Sequence, residues 1–169
     1  MDEVQLIRRQ IDTERQHLRA AATALAAAAR TRDVRADRGT SGDTSCAISE
    51  SYERYLLTNR EPARCAAHLA RLGARGALSP PERTALAQLQ DSLTRLRGRV
   101  GAAAATDRVD PAELAQLTCE WIESAESLEA LAERRYTVDD WRAIAQIDAD
   151  WILEERRLWA QLLSRVAAR

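Results

Sequence analysis

The chain has 169 residues, 46% hydrophobic and 30% charged, with only six Gly and four Pro, a size and mix that suit one globular domain over residues 1–169. All 25 cationic residues are Arg, and 26 Asp and Glu balance them to a formal charge of -1, which argues against a general binder of nucleic acid or of an anionic membrane. About a fifth of the residues are Ala and Phe is absent, so helix formers dominate, strand formers are scarce, and an all-α protein is expected.

The opening Met1-Asp2-Glu3-Val4-Gln5 carries acid where a secretory signal has basic residues. The most apolar run, Ala20 to Ala29, is half of the roughly 20 residues a membrane span needs. Cys46, Cys65 and Cys119 are too widely spaced for a zinc knuckle and odd in number. A reduced protein of the cytoplasm is the expectation.

In chain order, Val4, Ile7, Ile11, Leu18, Ala21, Leu25 and Ala28 follow the 3-4 spacing of one helical face, with Glu14 in the remaining core slot. This predicts a first helix from about Glu3 to Arg30. The stretch from Thr31 to Ser45, with Gly39 and Gly42 among Arg, Asp, Ser and Thr, reads as a long loop. A second helix carries Ile48, Tyr52, Tyr55, Ala66 and Leu69, with Asn59 and Pro62 in the intervening slots, so a kink or break is expected there. Gly73 and Gly76 end it.

Ser79-Pro80-Pro81-Glu82 is a helix start, with Pro in the first turn and an acid placed to close a capping box. The third helix bears Leu86, Leu89, Leu93, Leu96, Val100 and Ala103 on one seam. Asp110-Pro111-Ala112-Glu113 starts a fourth, with Leu114, Leu117, Trp121, Ala125, Leu128 and Leu131. Thr137-Val138-Asp139-Asp140 starts a fifth, whose stripe Trp141, Ile144, Trp151, Leu158 and Leu162 is broken by Asp148 and Glu155. Matched lengths and short connections predict an up-and-down four-helix bundle, with the fifth helix packed alongside or prolonging the fourth after a bend at Tyr136.

The informative positions are those where the apolar pattern is broken, since a carboxylate buried alone is costly. Glu14 and His17 stand three apart on one face, and counting heights through antiparallel turns brings Glu14 near Asp148 and Glu155, with Glu123 or Glu126 in reach. One reading is a divalent cation, iron, manganese or zinc, held by Glu14, His17, Asp148 and Glu155. The other is that these acids pair at the rim with Arg8, Arg15, Arg142 or Arg156. Cys65 with His68 has ligand spacing too, but reads more simply as a core Cys beside a His at a helix C-terminus. The Trp residues read as core filling.

With Ile11-Asp12-Thr13-Glu14-Arg15-Gln16-His17-Leu18 and Asp148-Ala149-Asp150-Trp151-Ile152-Leu153-Glu154-Glu155, the chain resembles the haemerythrin-like, or HHE cation-binding, bundles. That resemblance implies a non-haem diiron centre, with His17 as the first helix's ligand and Asp148 or Glu154 as a last-helix carboxylate. Those bundles carry several His where this chain has two, so the resemblance implies a site that is carboxylate-rich or lost. The alternative expectation is an interaction or adaptor bundle without metal, docking a protein partner or a second copy of itself. No Ser/His/Asp, Cys/His or Gly-rich phosphate-binding arrangement supports an enzyme.

Overall fold

The computed structural model describes residues 2–36, 44–105 and 110–168. Within them the chain forms five helices: α1 (Glu3–Ala36), α2 (Thr44–Ala74), α3 (Pro80–Ala104), α4 (Pro111–Ala132) and α5 (Val138–Ala167). The loop residues Gly39 and Gly42 lie outside the described residues, and so do the side chains, though not the backbone, of Leu25, Ala28, Cys46, Ile48, Tyr52, Tyr55 and Leu162. Among the described residues no helix is long and apolar enough to cross a membrane.

The helix starts follow the sequence signals. The Glu82 carboxylate accepts the Ser79 N–H at 2.8 Å ahead of α3, and Asp110 accepts the Ala112 N–H at 3.0 Å ahead of α4. At α5 the exchange is reciprocal, Thr137 Oγ1 accepting from Asp140 N–H and Asp140 from Thr137 N–H. These contacts satisfy amides that have no partner inside the helix. Gly76, at φ 62°, makes the turn after α2 in a conformation other residues rarely adopt.

Two boundaries differ from expectation. α1 continues to Ala36, about six residues beyond the expected end, because Thr31 to Ala36 holds no Gly or Pro and its Arg and Ala residues favour helix. α2 runs through Pro62 as one helix. Pro62 deprives one carbonyl of its donor, but the turn on either side is held by ion pairs from Arg60, Glu61 and Arg64 to neighbouring helices.

The packing assigns the extra helix. α1 packs on α4, α4 on α2, α2 on α5 and α5 on α1, so these four close a ring, while α3 packs on the outside against α2 and α4. The helix standing apart from the four-helix bundle is therefore α3. α5 does not prolong α4: the N–H groups of Arg135 and Tyr136 both return to the Ala132 carbonyl, at 2.8 and 3.2 Å, and turn the chain. The cross-links give directions. Arg8–Glu133, Arg15–Glu129 and Arg19–Glu126 run α1 antiparallel to α4, and Arg71–Asp140 with Arg64–Asp148 run α2 antiparallel to α5.

The core is divided accordingly. Between α2, α3 and α4 it is apolar, built from Leu72, Leu86, Leu93, Leu96, Val100, Leu117, Trp121, Ala125 and Leu128. Inside the ring a small apolar cluster, Ile11, Trp141 and Ile144, closes one end, with Val4, Ile7, Ala67 and Tyr136 against it. Beside this cluster, among the described residues, lies a charged layer of Arg15, Glu61, Arg64, Glu129 and Asp148.

Candidate functional site

On α1 the buried positions are Ile11, Arg15, Ala22 and Ala26, which makes Arg15 the core residue and leaves its neighbour Glu14 half-buried at the edge. On α2 the inward face is Glu61, Arg64, Cys65, His68 and Leu72. The expected Ala66 is exposed and Leu69 half-buried. Beyond Ile11, the inward stripes of α1 and α2 lie one position away from those apolar spacing suggests, with the charged Arg15, Glu61 and Arg64 among their members.

Two fully buried guanidiniums organise this interior. Arg15, 1% exposed, grips Glu129 of α4 with both terminal nitrogens, Nη2 to Oε1 at 2.8 Å and Nη1 to Oε2 at 3.0 Å, and its Nε lies 3.4 Å from Glu61. Arg64, also 1% exposed, grips Asp148 of α5 through Nε and Nη2, both at 2.7 Å, donates to Glu61 at 2.5 Å, and donates to Glu14. Arg60 donates to Glu14 at 2.5 Å from the edge and lies 3.8 Å from Asp148. Two-pronged contact to a carboxylate is a geometry that the planar guanidinium provides and an ammonium does not.

Burial opposes charge on both arginines, but the surrounding carboxylates, Glu61 and Glu129 for Arg15 and Asp148, Glu61 and Glu14 for Arg64, outweigh it and raise their pKa further. Burial likewise works against Glu129, yet the nearby His68 ring and the hydrogen bonds from Arg15 hold its carboxyl down at about 2. Arg15, Arg64 and Glu129 are thus ionised through the ordinary pH range.

His68, fully buried, extends it. Its Nε2 lies 3.4 Å from Glu129 and its Nδ1 3.0 Å from the Tyr136 hydroxyl, which donates to the His68 carbonyl at 3.0 Å. The two rings stack at 5.5 Å, Trp141 closes edge-on against both, and the Arg8 guanidinium covers the outer face of Trp141 at 5.6 Å. Burial, then the nearby Glu129, push the Tyr136 hydroxyl up. Asp140, buried at the start of α5, takes Arg71 at 3.0 Å and also pairs with Arg75.

The four residues expected to hold a cation divide. Glu14 and Asp148 do meet in the interior, through the guanidinium of Arg64 that lies between them. Glu155 is half-buried nearby, its carboxyl pushed up by burial and then by the charge on Glu14. His17 is exposed on α1. Glu14 and Asp148 are paired with arginine as the rim reading expected, but by Arg60 and Arg64 of α2, and Asp148 in the interior rather than at the rim; of the arginines named for that role, Arg15 takes Glu129 and Glu61, and Arg8 and Arg142 take Glu133 and Glu3. This donor set fits a divalent ion poorly: the space between the carboxylates already holds a cation that cannot shed its proton, and an ion there would face two further guanidiniums. Among the described residues no three His, Cys, Asp or Glu side chains are grouped to hold a metal ion.

Arg15, Glu61, Arg64 and Glu129 were not singled out by apolar spacing. Their trace in the sequence is Glu61-x-x-Arg64-x-x-x-His68, a polar series at the 3-4 spacing normally filled by Leu.

A scan against protein-family models and searches of curated proteins and of solved structures return no match to this chain.

Proposed function

We propose that this chain is a non-enzymatic interaction bundle that associates with a second copy of itself through the C-terminal half of α5. The observation that carries this reading is the change in burial along that helix. Up to Asp148 its inward residues are covered; beyond it, Trp151, Ile152, Leu158 and Trp159 are half-buried, and Leu153 and Leu163 are 58% exposed. Ile152, Leu153 and Leu163 lie beside Ala145, Ala149 and Ala160, with Arg156 among them, on a second, largely apolar face turned about a quarter of the helix away from the stripe that enters the ring. A helix apolar on two faces is one that packs on both.

A second copy suits this face because one self-complementary helix pairs with itself across a two-fold axis. A formal charge of -1 adds little repulsion between copies. The interior lattice serves the same purpose from within: charge pairs that close only in one register hold α1, α2, α4 and α5 in a single arrangement and keep the outer face of α5 constant.

Sedimentation equilibrium tests this. The wild-type chain is expected at twice 18.8 kDa, and L153E/L163E at the single mass with unchanged helicity. A wild-type protein that stays at the single mass at high concentration, or a variant that remains dimeric, overturns the proposal.

A further inference from the structure

A cleft between α2 and α3, floored by α4, encloses about 300 Å³, at the lower end of the range for small-ligand sites. Cys65 and Leu69 of α2 and Leu93 of α3 give it apolar walls, and Trp121 of α4 forms part of its lining. Trp121 is 2% exposed, and its indole Nε1 is buried without an acceptor. An indole N–H can only donate, and leaving such a donor unpaired costs free energy that an entering acceptor would recover.

The mouth is polar. Thr94 spends its proton on the Gln90 carbonyl at 2.8 Å, so its oxygen faces the cleft region only as an acceptor. Arg97 is exposed at the rim, and among the described residues no carboxylate is paired with it. The larger groove between α3 and α4 differs in this respect, since its Arg99 is already paired with Glu120 at 2.5 Å. Burial pushes the Cys65 thiol up, so it lines the wall as a neutral, unreactive group.

We infer that the α2–α3 cleft is a binding site for a small organic carboxylate with an apolar body and a second, uncharged oxygen, the oxygen accepting from Trp121 Nε1 and the carboxylate pairing with Arg97. The buried donor selects the oxygen, the apolar walls the body, and the rim cation the acid.

The test follows the indole Nε1–H resonances of the ¹⁵N-labelled full chain, with that of Trp121 identified by its loss in W121F. Probes are 4-hydroxybenzoate and 4-oxopentanoate, each against its uncharged alcohol or ketone counterpart. At least one acid is expected to shift the Trp121 resonance saturably, and R97Q to weaken it about tenfold, as loss of a charged hydrogen bond implies. A66F, a substitution at an exposed lining position, is expected to abolish the shift by filling the mouth. A Trp121 resonance unmoved by either acid at millimolar concentration overturns the site. Equal affinity of R97Q and wild type, or of acid and uncharged counterpart, overturns the carboxylate.

Discussion

Arg64→Met is the sharpest probe of the interior. The side chain is 1% exposed and bridges three carboxylates on three helices. Its removal leaves Glu14 with Arg60 at 2.5 Å, Glu61 with Arg15 at 3.4 Å, and Asp148 with Arg60 only at 3.8 Å. Glu14 therefore loses little, while Glu61 and Asp148, 2% and 6% exposed at their side chains, lose their close donors. Breaking a buried pair from one side costs about 3 to 5 kcal/mol, which for a domain of this size lowers the thermal midpoint by roughly 10 to 15 °C.

Urea unfolding followed by circular dichroism measures that loss at fixed pH. R64M/D148L removes the charge together with its main stranded partner and is expected to be more stable than R64M alone. A single variant within about 1 kcal/mol of wild type, or a double variant showing the sum of both single losses, would refute the reasoning.

Three further outcomes follow from the same geometry. Glu129, held at about 2 against an ordinary 4.5, contributes about 3 kcal/mol above pH 4.5 that is lost as pH falls toward 2; E129Q is expected to flatten the acid limb of the stability profile and lower the plateau. Glu155 has the opposite sign, its carboxyl raised by burial and by Glu14, so E155Q is expected to raise the unfolding midpoint at neutral pH, and an unchanged or lower midpoint would contradict that assignment. Protein produced with iron, manganese and zinc supplied is expected to carry less than stoichiometric metal by elemental analysis, and H17A, at an exposed position, to leave both metal content and stability unaltered.

The legible parts of the fold were those encoded locally. Proline in the first turn of α3 and α4, the acids that close their starts, and Thr137 ahead of α5 fall where the structure uses them, because a helix end is satisfied by residues within a turn of it. The seams of α3 and α4 were legible for a related reason: their inward residues are apolar, and Leu86, Leu93, Leu96, Leu114, Leu117 and Trp121 are buried as spaced. The charged interior was not. Glu14 and Asp148 stood out as polar residues in an apolar stripe, but Arg15 and Arg64 reach the centre from positions that periodicity assigns to the surface. Their burial depends on partners 114 and 84 residues away in sequence, a relation that no local window contains. Which helix stands outside the ring is likewise set by where those partners meet, and connection lengths carry no trace of it.

The absence of Lys gives the divided core a directional response to pH. Guanidiniums keep their protons far into alkali, so base leaves the ring's interior intact, whereas acid discharges the carboxylates and leaves Arg15 and Arg64 facing each other unscreened. The α2–α3–α4 wedge, whose contacts are oily, has no such vulnerability. Acidification should loosen α1 and α5 first, amide exchange quickening there while α3 stays closed, and the protein would come apart along the line where ions give way to hydrocarbon.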